Sequence, residues 1–558
     1  MGKASSTLFA FLLLLSSAAF AQTPSKEAST TIAGVVTLNG EAMRNVTVTI
    51  QAMNSPGSSQ RAQPRAKTDA NGRFRLTGIA AGQFIIGALA PAYVNERSPS
   101  LGLNPGTLLG QIITVADGET IENLEIKLKR GGVITGRVTD ADGEPVIETV
   151  VRLAPVADRN APPPPPPMNP NAYRTDDRGI YRIFGLPAGK YKVSVGLPVR
   201  QGAFSMQTSR SYIPETFHPD ATNEAEAKII EVKEGDEVTD VDIKAAEAQR
   251  TYEISGRVVD AETGKPVVGI GLSFGSFNEA GRLTGSMSGG WRTDTNGEFQ
   301  IMGARQGKHA VFVENRDGKS DLYSEPTPVE VFNGDVSGVE IRAMHGNSIS
   351  GTVIIEGSND PAIQSKRNQI ILITTPDVSS FYSGSRNAKV NADGSFRFTG
   401  LPVGRLRFGT SIVPNISLQR IEQNGVPLKD SVIEIHSGEQ VNNLRLIFGY
   451  GDGTIRGQLK IVGGELPEGI KLAIGCKGNT VGTRYFPSTP LDMRNQFLFT
   501  GLPTGEYELY ISASFPNGRP PSGVVEKIFP RLARARQYVS VSNGNETQVT
   551  FTVDISQE

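Results

Sequence analysis

The chain has 558 residues, 38% hydrophobic and 20% charged, with a formal net charge of −1. That length exceeds what one hydrophobic core serves, and the composition excludes a disordered chain. A net charge so close to zero supplies no field to gather nucleic acid or anionic lipid.

Residues 1–21 differ from the rest. Lys3 precedes the apolar run "LFAFLLLL", and "SSAAFA" ends in small residues at Ala19 and Ala21. This pattern predicts a secretory signal peptide over 1–21, cleaved before Gln22. No later apolar run is long enough to span a bilayer, so no transmembrane segment is expected in the mature chain. The predicted location is exported: periplasmic, cell-surface or extracellular. The single cysteine, Cys476, forbids an intramolecular disulfide; in "KLAIGCKG" it reads as a small buried apolar residue.

From residue 32 onward three landmarks recur in fixed order. The first is a strand with a central glycine: Gly34, Gly136, Gly256, Gly351 and Gly457, spaced 102, 120, 95 and 106 residues apart. The second is the phrase "GLPAG" and its variants, with Gly78 and Gly82, then Gly185, Pro187 and Gly189, then Gly303 and Gly307, then Gly400, Pro402 and Gly404, then Gly501, Pro503 and Gly505. The third is a turn followed by alternation, as in "VADGETIENLEIKL" and "IHSGEQVNNLRLIF". The spacing is that of domains rather than of a thin solenoid. Apolar and polar residues alternate with period two, and Gly/Pro turns recur at short intervals, which predicts an all-β chain of five tandem antiparallel β-sandwich domains. The expected boundaries are a linker at 22–31 and sandwiches at 32–130, 131–246 (with a Pro-rich insertion at 161–170), 247–345, 346–449 and 450–558. Sustained helical periodicity is not expected after the leader; only "NEAEAK" near Asn223 and "KAAEAQR" near Lys244 suggest a helical turn, the latter in a linker.

Within each sandwich an Asx turn (Asp69, Asp176, Asp294 or Asn391) leads into a strand. Its inward slots are predicted to hold Phe74, Tyr181, Phe299, Phe396 and Phe497, then Leu76, Ile183, Ile301, Phe398 and Phe499. The phrase then reverses the chain, its apolar second residue plugging the core, and the returning strand carries Phe84, Tyr191, His309, Leu406 and Tyr507. The phrase is therefore a strand connector.

"GRVTDADGEPV" from Gly136, "TDDRGIYRIFGLPAGKY" from Thr175, "GRVVDAETGKPVVG" and "TDTNGEFQI" resemble the carboxypeptidase regulatory-like domain. The resemblance runs over Ile32 to Val553 and implies a prealbumin-like, starch-binding-like sandwich without catalytic function. Two stretches depart from the pattern: "DMRNQF" has Asn495-Gln496 where the turn glycine belongs, and Ala304-Arg305 replaces Leu-Pro.

Patterns that carry chemistry elsewhere fail on context here. His436-Ser-Gly-Glu439 has zinc-ligand spacing, but it falls inside the third landmark. Gly271-Leu-Ser273-Phe-Gly275 matches a nucleophile elbow, but it lies in a strand run with no helix following. His218, His309, His345 and His436 fall in different landmarks, and the Asp-x-Asn-Gly turns lack an EF-hand ligand series. No metal, cofactor or catalytic residue is predicted, and the chain is not expected to be an enzyme. Trp291, Tyr173 and Tyr382 are the candidate carbohydrate-stacking aromatics. The Pro162–Pro167 run is a stiff surface insertion that could meet an aromatic groove on a partner. Arg531, Arg534 and Arg536 read as a solvated edge. The functional expectation is an exported binding or spacer module for a glycan or cell-envelope polymer. Its alternatives are a structural or protein-docking rod and an accessory partner of an extracellular hydrolase or transport system.

Overall fold

The structure is a computed structural model that describes residues 30–53, 64–95, 110–116, 118–156, 173–197, 210–278, 281, 283–287, 290–314, 320–376, 385–411, 413–428, 432–466, 470–478, 485–514 and 525–556. The leader, the hexaproline and Tyr382 lie outside these residues.

The chain is all-β and its strands form five sandwiches. The third shows the plan. One sheet has the order Glu298–Ala304, Tyr252–Asp260, Val336–His345, Leu322–Tyr323; the other has Leu283–Met287, Gly271–Phe277, Gly307–Glu314, Thr327–Val331. Every predicted inward slot of the strand before the phrase is filled as expected. Phe74, Tyr181, Phe299, Phe396 and Phe497 are buried, as are Leu76, Ile183, Ile301, Phe398 and Phe499. On the returning strand Tyr191, His309, Leu406 and Tyr507 are buried, and Phe84 packs half-buried against its core.

Each sandwich also contains parallel pairing, and the second has two such pairs of strands. The first strand of each unit lies beside its last strand, as Tyr252–Asp260 does beside Val336–His345. The first-landmark glycine stands where the last strand bulges toward it. A Cβ on Gly34, Gly256 or Gly351 would lie 1.9, 1.9 or 2.0 Å from the carbonyl oxygen of Leu124, Val339 or Leu444, and one on Gly136 would lie 2.1 Å from that of Val241. The residue before each of those four has positive φ: Asn123 59°, Asp240 60°, Gly338 75° and Asn443 61°. Asn, Asp and Gly are the residues that adopt this conformation most readily. The fifth sandwich has no register shift here, and the space above Gly457 is filled instead by the Phe497 ring, 2.0 Å from a Cβ placed there.

The departure at "DMRNQF" leaves the turn intact. Asp492 Oδ1 accepts from the amides of Arg494 and Gln496, both at 2.8 Å, as Asp294 does from Asn296 and Glu298. Asn495 takes φ 57°, the role that Gly297 fills with φ 76°.

Helix does occur, contrary to expectation, outside the two suggested segments, of which "NEAEAK" forms a hydrogen-bonded turn with Glu226 N donating to Asn223 O at 3.0 Å. Val525–Arg534 is an α-helix, and Pro361–Gln364 runs into a 3-10 turn at Ser365–Gln369. In the longer helix Ile528 and Leu532, four residues apart, are buried in the fifth core. Val525, Ile528, Phe529 and Leu532 recur at helical spacing, but Pro530 inside the segment reads in sequence as a helix breaker. The expected solvated arginine edge is thus two structures: Arg531 and Arg534 end this helix, and Arg536 begins the strand Arg536–Val541. "KAAEAQR" is extended, with Ile243–Lys244 and Gln249–Arg250 as short strands. No described helix is long and apolar enough to cross a membrane.

Candidate functional site: the joints between sandwiches

Three of the four linkers have almost no length. Thr120–Arg130 runs into Gly132–Thr139 through Gly131 alone, and Val336–His345 into Asn347–Glu356 through Gly346 alone. Gln440–Tyr450 reaches Gly453–Val462 across two residues. At every joint a linker amide donates to a loop carbonyl of the preceding sandwich. The bonds are Gly131 N to Ala92 O at 2.9 Å, Thr251 N to Arg210 O at 2.9 Å, Gly346 N to Asp321 O at 2.8 Å, and Gly451 N to Asn415 O at 2.9 Å.

The recurring phrase forms the floor of these joints. Its first glycine has positive φ in all five copies, between 64° and 88°. A Cβ on Gly131 would lie 2.4 Å from Cα of Gly185, and one on Gly346 would lie 2.6 Å from Cα of Gly400. At the last joint a Cβ on Gly451 would lie 2.0 Å from the nitrogen of Pro503. At the two glycine–glycine contacts backbone meets backbone because neither side carries a side chain to hold them apart. Leu186, Leu401 and Leu502 plug their cores as expected, and Ala304 does the same in the third unit. The phrase is thus both strand connector and docking face for the preceding sandwich; its second role leaves no periodic signature in sequence.

Side chains reinforce the joints. Thr399 Oγ1 donates to Ser320 O at 2.9 Å, tying the fourth unit to the third. His345 Nδ1 lies 2.7 Å from Asp321 Oδ2 and its Nε2 3.3 Å from Asp260 Oδ2, so the loop that receives Gly346 is gripped by an imidazole. The hydrogen bond to Asp321 is the main cause that raises the His345 pKa above the usual histidine value. Arg305, one of the phrase departures, places its guanidinium 4.3 Å from the centre of the Tyr212 ring, across the joint between the second and third units. A cavity of about 180 Å³ opens at that joint, lined by Arg210, Arg250, Tyr252, Met302, Gly303 and Asp335 among others.

The candidate aromatics do not converge. Trp291 and Tyr173 hold equivalent backbone places in different sandwiches, their carbonyls accepting from Leu272 N and Val151 N. Trp291 is half-buried against the third core, its ring 6.4 Å from that of Phe274 in an edge-on arrangement. Tyr173 packs half-buried on the second core, and burial raises its pKa. The far more exposed aromatics are Phe332 (78%) and Tyr538 (59%). Phe332 was findable in sequence: it fills a turn slot that Ala116, Lys233, His436 and Ser542 fill in the other units.

Residues with reactive side chains are occupied by the fold. Ser273 is mid-strand and fully buried, its hydroxyl without a hydrogen-bond partner among the described residues. Glu439 Oε2 accepts from the His436 amide at 2.8 Å and lies 3.1 Å from its Nδ1, so the pair closes a turn. The backbone bond is the main reason that the Glu439 pKa is lowered. His218 is buried, with Nδ1 2.6 Å from Asp242 O. Cys476 is fully buried, which pushes its pKa up to about 12. Among the described residues no three His, Cys, Asp or Glu side chains gather as metal ligands.

No family model matches the chain, and no curated protein matches it. Solved structures with a likeness include a streptococcal ancillary pilin, at 12% identity over 57% of this chain and 99% of that one, TM-score 0.24. The Bacillus anthracis TIE protein matches at 15% identity over 76% of this chain and 74% of that one, TM-score 0.15. A double mutant of the shaft pilin SpaA from Lactobacillus rhamnosus GG matches at 14% identity over 39% of this chain and 98% of that one, TM-score 0.18.

Proposed function

We propose that this chain is a non-catalytic structural module that holds five sandwiches at set orientations and offers their outer faces for protein docking. The observation that carries this reading is the joint, repeated four times, in which a linker amide bonds to the preceding unit. A tether meant to flex would be long and rich in Gly, Ser or Pro, whereas three of these joints leave no slack. The folding units are the stretches 32–130, 131–246, 247–345, 346–449 and 450–558, and the module works outside the cytoplasm after loss of the leader 1–21. The resemblance of the second and third units to carboxypeptidase regulatory-like domains agrees with a role without catalysis. Sugar stacking on Trp291 and Tyr173 is the weaker reading, because both rings already pack on their own cores.

The test is a distance distribution between spin labels on the third and fourth sandwiches of the full chain. A narrow distribution that broadens when a four-residue Gly-Ser stretch is inserted after Gly346 supports the reading. An equally broad distribution before insertion refutes it.

A further inference from the structure

The first and fifth sandwiches, farthest apart in sequence, touch. The strand Gln496–Leu502 packs against Gly82–Leu89 and Gln111–Val115. Gln111–Val115 is an edge strand of its sheet. Such an edge presents unpaired N–H and C=O groups, a template for another strand. Here it is closed by side chains. The Thr114 amide donates to Asp492 Oδ2 at 3.0 Å, and the Arg494 guanidinium donates to the Thr114 carbonyl. Asp492 and Arg494 thus supply one acceptor and one donor, the pair that a peptide unit of an added strand would supply.

The rest of the contact has the make-up of an interface. Gln83 Nε2 donates to Pro490 O at 2.8 Å while Gln83 Oε1 accepts from Thr489 Oγ1 at 2.9 Å. Arg494 Nη1 also meets Glu119 Oε1 at 2.9 Å. Gln83, Thr114, Thr489 and Asp492 are buried, at 8%, 0%, 1% and 5% exposure. Ile85, Ile112 and Leu498 are buried too, yet belong to none of the sandwich cores. The same Asp-x-Arg turn occurs in the second sandwich, where Asp176 and Arg178 pair in solvent. The turn is a common part, and in the fifth unit it has been put to a second use.

We propose that the fifth sandwich is the edge guard of the first: the chain closes on itself through this contact, and its release turns the 111–115 edge into a pairing site for a second copy of this chain. The contact is heterologous, with different surfaces on the two sides, so within one chain it closes a ring and between chains it would propagate. Tethering within one chain, three of its four joints being short, raises the effective concentration of the two faces and favours closure within that chain.

The test uses the full chain and three variants: Arg494→Glu, Gln83→Ala on the opposite face, and Arg178→Glu as the control at the equivalent turn. Small-angle scattering and sedimentation give shape and mass, and circular dichroism checks folding. The expected result is a closed monomer for wild type and Arg178→Glu. Arg494→Glu and Gln83→Ala should shift to a larger radius of gyration and to oligomers that grow with concentration. An extended wild type, or guard variants indistinguishable from it in shape and mass, overturns the closure. A wild type that is already an oligomer places the contact between copies and likewise overturns closure within one chain. Opening without association overturns the second copy as occupant. Arg494→Glu and Gln83→Ala alter only the contact between the first and fifth units, so their comparison with wild type is read separately from the label distances across the joint between the third and fourth.

Discussion

His309 Nε2 lies 2.7 Å from the carbonyl oxygen of Arg305, four residues back across the phrase. In the second and fifth sandwiches the same bond is made by tyrosine: Tyr191 Oη donates to Pro187 O at 2.6 Å and Tyr507 Oη to Pro503 O at 2.7 Å. A carbonyl can only accept, so Nε2 carries the proton and Nδ1 is left to accept from Ser276 Oγ at 3.0 Å. The serine–histidine pair is therefore a brace for the phrase. His309→Tyr should keep the third sandwich folded, while His309→Ala should destabilise it by about 2–4 kcal/mol through the cavity and the unpaired carbonyl. Hydrogen exchange of amides in Gly307–Glu314 separates the two outcomes.

The same residue sets an acid sensitivity. Burial lowers the His309 pKa below its usual 6.5. The unfolded chain then binds a proton that the folded chain refuses. This contribution is complete above the unfolded value and is lost as pH falls from there through the folded one. Exchange protection of the third sandwich should decline as pH drops below 6.5, and His309→Tyr should flatten that decline.

His345 acts in the opposite direction. Its pKa is raised by Asp321 first, with Asp260 and Glu262 adding attraction. Its grip on the loop that bears Gly346 is full below the unfolded histidine pKa and weakens as pH rises through the raised folded value. The label distance distribution across the third joint should broaden over that rise. His345→Gln should make it insensitive to pH.

Much of this was legible in the sequence because strand burial repeats with period two. Phe299 and Ile301, or Phe396 and Phe398, declare an inward face by alternation alone. The parallel pairing of Tyr252–Asp260 with Val336–His345 was not legible, since contacts some eighty residues apart leave no local pattern. The joints were hidden for another reason. Gly185 and Gly501 look like turn glycines, and they are, but the Pro91 carbonyl and Asn415 press on them from the preceding unit. The helix Val525–Arg534 was hidden by its own Pro530, which reads as a breaker although Val525, Ile528, Phe529 and Leu532 recur at helical spacing.

Gly256→Ala should be costly, because the added methyl meets the Val339 carbonyl, which belongs to a paired strand and cannot rotate aside. A loss of roughly 1–3 kcal/mol is expected from overpacking. Proteolytic susceptibility of the third sandwich, compared with Gly264→Ala in an open turn, reports it; Gly264 has nothing within 4 Å of its Cβ position but has φ 69°, so the control carries only the backbone cost.

Cys476 should be inert in the folded chain. Its pKa of about 12 and full burial leave almost no thiolate at about pH 8. A thiol reagent should label less than a tenth of the protein over an hour, and one equivalent after denaturation, since the chain has one cysteine. Prompt native labelling would mean that the fifth core opens.

A joint without slack makes the number of sandwiches a length standard. Each unit hands the next a set turn and displacement, so the position of Asp492 and Arg494 relative to Thr114 depends on how many units lie between them. Duplicating or deleting one whole sandwich would preserve every core and every remaining joint, yet bring the last turn to the wrong place. Modular chains are usually free to vary their copy number; this one is restrained by its circumference.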